Sequence, residues 1–187
     1  MSGKIRKDDV YWKILNCALE LEFRKGHLKW TLSDVSRKSK ITRSLIYYHF
    51  GRSKMDILQA AIDIIGKEFT GVDNPRRQSL WFSEKYEESL LEARQIYEKM
   101  PHLCAFYLNH RNQPNQVGQA LETIERGFKK RIKTIAPTAT PAQINTLFAV
   151  YFGIGYAPGV GAEEVKIFAQ VIKSVLKKMN PRVPTLS

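Results

Sequence analysis

Cysteine is nearly absent: Cys17 and Cys104 are the only two in 187 residues, and no CxxC pair occurs. That leaves no basis for a disulfide framework or a cysteine-rich metal finger. Both cysteines lie among apolar neighbours and read as small core residues. No apolar run approaches the roughly 20 residues that span a bilayer. The N-terminus carries charges but no apolar signal segment. We therefore expect a soluble cytoplasmic protein with no membrane partner. Convincing strand alternation with hairpin turns is missing too, as are repeats and low-complexity stretches, so the expected class is all-α. The four histidines show no metal-ligand spacing, and no serine, cysteine or acid pair has a catalytic setting. Gly153, Gly155, Gly159 and Gly161 lack the third position of a dinucleotide-binding pattern, and no strand precedes them. They read as a flexible connection. No catalytic residue, metal or cofactor is expected.

Acidic side chains are also scarce, 18 against 30 lysines and arginines, for a net charge of +12. Thirteen of the basic residues and six of the acidic ones fall in residues 1–58. Positive charge is densest there, which points to a polyanionic partner. Charge alone equally fits a soluble basic protein with no such partner, and a basic module for acidic proteins or membrane surfaces would also account for the +12.

What is present is helical periodicity. Val10, Ile14, Ala18 and Leu21 recur at helical spacing up to Gly26, a suitable residue past a helix end. A helix from about Ser53 carries Met55, Leu58, Ile62, Ile65 and Phe69 to about Thr70. One helix is expected over Arg76–Lys99, another over Pro101–Arg111, and a third over Gln116–Ala136 with its Lys129-Lys130-Arg131 run on the wet face. Two more span Pro141–Tyr156 and Ala162–Met179, and the tail from Asn180 is expected to fray. The last two helices carry more than one apolar face. In the final one, Val165, Phe168, Ile172, Val175 and Met179 form one stripe, and Ile167 and Val171 extend a second. One face suits the core and the other a second copy of the chain. About nine helices result.

Residues 31–58 hold the most informative pattern. Thr31-Leu32-Ser33-Asp34 has the form of a capping box, Lys40-Ile41 makes a turn, and Thr42 caps a second short helix ending near Phe50. So short a helix needs anchors in a shared core: Ile41, Leu45 or Ile46, and Phe50. Arg43, Ser44, Tyr48 and His49 are left to point outward. A short helix opening with arginine and hydroxyls suits the DNA major groove. Arg43 is placed to bond guanine O6 and N7, with Thr42 and Ser44 on a phosphate or base edge. Thr31, Arg37 and Lys38 can reach flanking phosphates, and Lys4, Arg6 and Lys7 form an arm that adds to them. Tyr47 is expected in the motif's own core.

Residues 10–58 resemble the DNA-binding domain of the TetR family of bacterial transcription regulators. The likeness rests on an apolar helix (Ile14, Leu15, Ala18, Leu19), then Gly26, the Thr31-led helix, Tyr47-Tyr48-His49-Phe50, and Ser53-Lys54. This chain departs from the pattern in having Lys40 where a turn glycine is usual, and one extra residue in Gly51-Arg52. The resemblance implies backbone contacts from Tyr48, His49 and Lys54, and binding to double-stranded DNA as a homodimer through the C-terminal helices. Residues 1–58 would be the DNA-binding domain and 59–187 a helical regulatory and dimerisation domain. The resemblance also implies a small-molecule effector cavity in that second part. Candidate lining residues are Trp81, Tyr86, Tyr97, Phe106, Tyr107, His110, Phe128 and Tyr151, each of which fits an ordinary core as well. The function implied is a ligand-responsive repressor on a palindromic operator. Its rivals are a helical enzyme acting in the same cavity and the basic module above.

Overall fold

The computed structural model describes residues 7–179. Among these residues there are no strands. The helices are α1 (Lys7–Lys25), α2 (Leu32–Ser39), α3 (Arg43–Phe50), α4 (Lys54–Ile64), a π-helical turn (Ile65–Phe69), α5 (Pro75–Phe82), α6 (Tyr86–Lys99), α7 (His102–His110), α8 (Gln116–Ile135), α9 (Pro141–Tyr156) and α10 (Ala162–Met179). Lys4 and Arg6 of the expected arm, and the tail from Asn180, lie outside the described residues. Lys7 is the first residue of α1.

Two corrections to the expected helices have local causes. The helix expected over Arg76–Lys99 is two helices, α5 and α6. The chain turns at Glu84, which has φ 58°, and the Lys85 amide donates back to the Leu80 carbonyl at 2.7 Å. That left-handed closure ends a helix, and it leaves Phe82 55% exposed rather than on the inner face. The helix expected to reach Thr70 loosens after Ile64 into a π turn, closed by the Thr70 amide on the Ile65 carbonyl at 2.8 Å. The five-residue step of that bond is the mark of π geometry. The Thr70 hydroxyl donates to the same carbonyl.

The described residues pack as two compact units. One holds the chain up to Ile64 together with Tyr97–Glu122, and the other holds Ile65–Ile96 and the chain from Thr123.

In the first unit Ile14, Leu15, Ala18, Leu19, Trp30, Val35, Ile46, Ile57 and Leu58 are wholly buried. Burying each large aliphatic side chain contributes roughly 1.5–3 kcal/mol, which holds helices as short as α2 and α3. The loop between α1 and α2 is organised around one buried acid, Glu22. Its Oε2 accepts from the Leu28 amide at 3.0 Å and from the Trp30 indole; its Oε1 lies 2.7 Å from His27 Nδ1. The loop carries positive φ at Gly26 and Leu28.

In the second unit Trp81 sits among Tyr86, Phe128 and Tyr151, with ring centroids 5.3–5.6 Å away. Three buried arginines bond backbone carbonyls. Arg131 donates to Thr70 and Gly71 at 2.8 and 3.3 Å, Arg77 to Phe69 at 3.1 Å, and Arg94 to Ala157 at 2.6 Å. Arg131 thus leaves the wet face expected for it: its guanidinium lies over the rings of Trp81 and Phe128, 4.6 Å from each. Burial pulls it down to about 10, with Arg77 adding to the effect against the pull of Tyr151. The glycines divide as well. Gly153 and Gly155 belong to α9, and only Gly159 and Gly161 lie between α9 and α10. Gly155 is required by contact, since a Cβ there would stand 2.4 Å from the Phe69 ring.

Candidate nucleic-acid interface

α2 begins on a complete capping box. The Asp34 amide donates to Thr31 Oγ1 at 3.1 Å, and Asp34 Oδ2 accepts from the Thr31 amide at 2.9 Å. Lys25 reaches the same carboxylate at 2.9 Å. Lys25 and then the Thr31 amide and hydroxyl hold the Asp34 carboxyl down at about 2. Arg37 leans to Asp34 at 3.5 Å with its side chain 79% exposed, while Lys38 pairs with Glu20 at 2.9 Å. α2 therefore presents Arg37 outward and spends Lys38 on α1.

The turn places Lys40, which stands where a turn glycine is usual, at φ 56°, ψ 31°, the left-handed region. The turn is held from both sides: the Ser36 hydroxyl donates to the Ile41 carbonyl at 2.7 Å, and the Ile41 amide to Ser39 Oγ at 3.3 Å. A side chain in this region is strained by about 1–2 kcal/mol, partly offset by its lower unfolded entropy. Lys40→Gly is expected to raise stability by about 0.5–1 kcal/mol, seen as a higher urea midpoint at unchanged slope. A lower midpoint would mean that the lysine side chain contributes a contact of its own.

Thr42 caps α3, accepting from the Leu45 amide at 3.4 Å. Ile41, Ile46 and Phe50 are buried, and Phe50 stacks on Tyr11 with centroids 4.7 Å apart. The choice between Leu45 and Ile46 falls to Ile46, because Leu45 is 36% exposed. Thr42, Arg43, Ser44, Leu45 and Tyr48 form the outward face of α3. His49 is half-buried, its ring 5.2 Å from Tyr48 and 6.2 Å from Tyr11. Tyr47 is also half-buried rather than in the core, with the Arg52 guanidinium 5.7 Å from its ring. At the start of α4, Lys54 is half-buried and donates to the Leu28 carbonyl at 2.6 Å. One of its three protons is thus already used.

The eight residues named for an effector cavity divide between the units. Tyr97, Phe106, Tyr107 and His110 belong to the first; Trp81, Tyr86, Phe128 and Tyr151 belong to the second. In the second unit the polar atoms of Trp81 and Tyr151 are satisfied internally, and the Tyr86 ring is buried. The Trp81 indole donates to Ser89 at 3.0 Å, the Tyr151 hydroxyl to the Phe69 carbonyl at 2.6 Å, and burial pushes the Tyr86 phenol up to about 12. That is how a packed core behaves. A cleft of about 680 Å³ lies elsewhere in this unit. Glu84, Glu87, Glu88 and Leu91 line it on one side and Ala169, Gln170 and Lys173 on the other; of the eight residues only Tyr86 touches it.

Two short capped helices, the second presenting arginine and hydroxyls to solvent, define a helix-turn-helix DNA-binding head. Residues 14–61 match the family model described as bacterial regulatory proteins, tetR family. Residues 14–61 are thus a DNA-binding domain of the TetR type. No curated protein matches the chain. No helix among the described residues is long and apolar enough to cross a membrane.

Proposed function

We propose that the chain is a homodimeric, ligand-responsive repressor of a palindromic operator. The observation that carries the DNA-reading part is the outward face of α3, where Arg43, Ser44, Leu45 and Tyr48 stand on a helix fixed by Ile46 and Phe50. Arg43 reads a guanine, Thr42 and Ser44 bind a phosphate or base edge, and Thr31, Arg37, Tyr48, His49 and Lys54 hold the flanking backbone.

Dimerisation is supported by the last two helices. On α10, Val165, Ile172 and Met179 are buried, whereas Ile167 and Val171 are 58% and 46% exposed. On α9 the exposed positions Ala142, Thr146, Ala149 and Gly153 form a stripe of small side chains at helical spacing. A second copy laid against these faces would cover the apolar surface and set two heads on successive major grooves, about 34–36 Å apart. An effector would act by preferring one head spacing over the other. The cleft beside Glu84 and Lys173 is of a size that takes small molecules.

Selection of bound sequences from a random DNA pool tests the reading. Enrichment of two inverted half-sites, one turn apart, is the expected result. Binding that follows salt without enrichment would overturn it. Arg37→Ala is expected to weaken binding alike on all sequences and to lower the salt slope by about one. Titration of the variant over a salt series checks this, and a base-specific loss would place Arg37 in the groove instead.

A further inference from the structure

Glu22, His27 and His110 converge in the first unit, although 83 residues separate the two histidines in sequence. One ligand atom from each lies within 4.8 Å of the other two. Glu22 Oε1 is 2.7 Å from His27 Nδ1 and 3.1 Å from His110 Nε2, and the two imidazole centroids are 5.1 Å apart. We propose that these three side chains bind a divalent transition-metal ion of the zinc class, through Glu22 Oε1, His27 Nδ1 and His110 Nε2, with water at a fourth position.

Four features point to a metal rather than a plain hydrogen-bond cluster. First, the carboxylate is already oriented for one-atom ligation. Its Oε2 is taken by the Leu28 amide and the Trp30 indole, which leaves Oε1 facing the two imidazoles. Supporting bonds of this kind fix a ligand's aim. Second, His110 is 3% exposed, yet neither ring nitrogen has a hydrogen-bond partner of good geometry. Its Nε2 is close to Oε1 but misaligned for a hydrogen bond, and its lone pair is available. Third, the spacing is near that of a metal site. Ligands about 2.0–2.2 Å from a tetrahedral ion lie about 3.3–3.6 Å apart, and the three ligand atoms, at 2.7 and 3.1 Å from Glu22 Oε1 and all within 4.8 Å of one another, span that separation. Fourth, the donor set of two imidazoles and one carboxylate is that of zinc sites with an open position. It does not suit calcium or magnesium, which prefer all-oxygen shells. His27 is exposed and provides the way in.

The expectation of no metal, drawn from histidine spacing, is thereby revised. His27 follows Glu22 by five residues across the turn that Gly26 opens, and His110 arrives from α7, so no linear spacing marks the trio. A bound ion would tie the last turn of α7 to the end of α1.

The test uses the full chain stripped with chelator and titrated with Co²⁺, which absorbs visibly when tetrahedral, followed by displacement with Zn²⁺. Saturation at one equivalent per chain, with visible bands bleached by zinc, is expected. His27→Ala, at an exposed position where folding should persist, is expected to weaken binding about tenfold or more; circular dichroism verifies the fold. Cys104→Ser is expected to change nothing, which separates this site from thiolate binding. Absence of saturable binding, or wild-type affinity in His27→Ala, would overturn the proposal.

Discussion

Glu22→Ala is expected to lower the stability of the metal-free chain by about 3–5 kcal/mol, the cost of breaking a buried charged cluster from one side. The Trp30 indole, the Leu28 amide and the His27 imidazole lose their common acceptor. Each buried donor left unsatisfied costs about 1–3 kcal/mol. Chemical unfolding of the two proteins measures the difference, and a loss below about 1 kcal/mol would show that the cluster contributes little net stability. The pH dependence has a definite sign. Burial pushes the Glu22 carboxyl up, but the close approach of His110 and the bonds from Trp30, Leu28 and His27 more than reverse this and leave it at about 2, below the ordinary 4.5. A carboxyl depressed in the folded state stabilises in full above 4.5, and the benefit fades as pH falls toward about 2. The shift corresponds to roughly 3 kcal/mol. In the alanine variant this part of the acid sensitivity should be gone.

Arg43→Ala is expected to remove discrimination at one base position in each half-site, worth about 1–3 kcal/mol against the wrong base. Arg43 is exposed at the first position of α3, and its neighbours Thr42 and Ile46 fix the helix without it. Stability should therefore change little. The informative readout is the base profile of a binding selection, compared with that of Arg37→Ala. A unique lost position identifies base reading. A uniform decline would assign Arg43 to the phosphate backbone.

The helix-turn-helix head was legible in the sequence because its determinants are local. Thr31 with Asp34, Thr42 ahead of α3, and the glycine-less turn at Lys40 each act over two or three residues, and each is found as expected. The face of α3 followed from helical spacing, apart from the choice between Leu45 and Ile46, where periodicity allows either. The missed features depend on distant partners. The apolar steps through Phe82 and Tyr86 continue in phase, so the break at Glu84 leaves no mark in the pattern. Arg131 lies in a run of basic residues and looks wet; only the carbonyls of Thr70 and Gly71 and the rings of Trp81 and Phe128 make burial tolerable for it. Glu22 and His110 have the same character, since neither signals the other along the chain.

Arg77, Arg94 and Arg131 each anchor an irregular piece of main chain with charged bonds, near Phe69, Ala157 and Thr70–Gly71 respectively. Segments of this kind are ordinarily the first to open, exchanging their amide protons through small local fluctuations. Here a local opening near Phe69 or Thr70 would strand a guanidinium in the interior, a far greater penalty than the loss of one neutral bond. The Thr70 amide should therefore exchange as slowly as the centres of the helices, through cooperative opening of the second unit. On that expectation the irregular backbone there moves only with the packed helices around it.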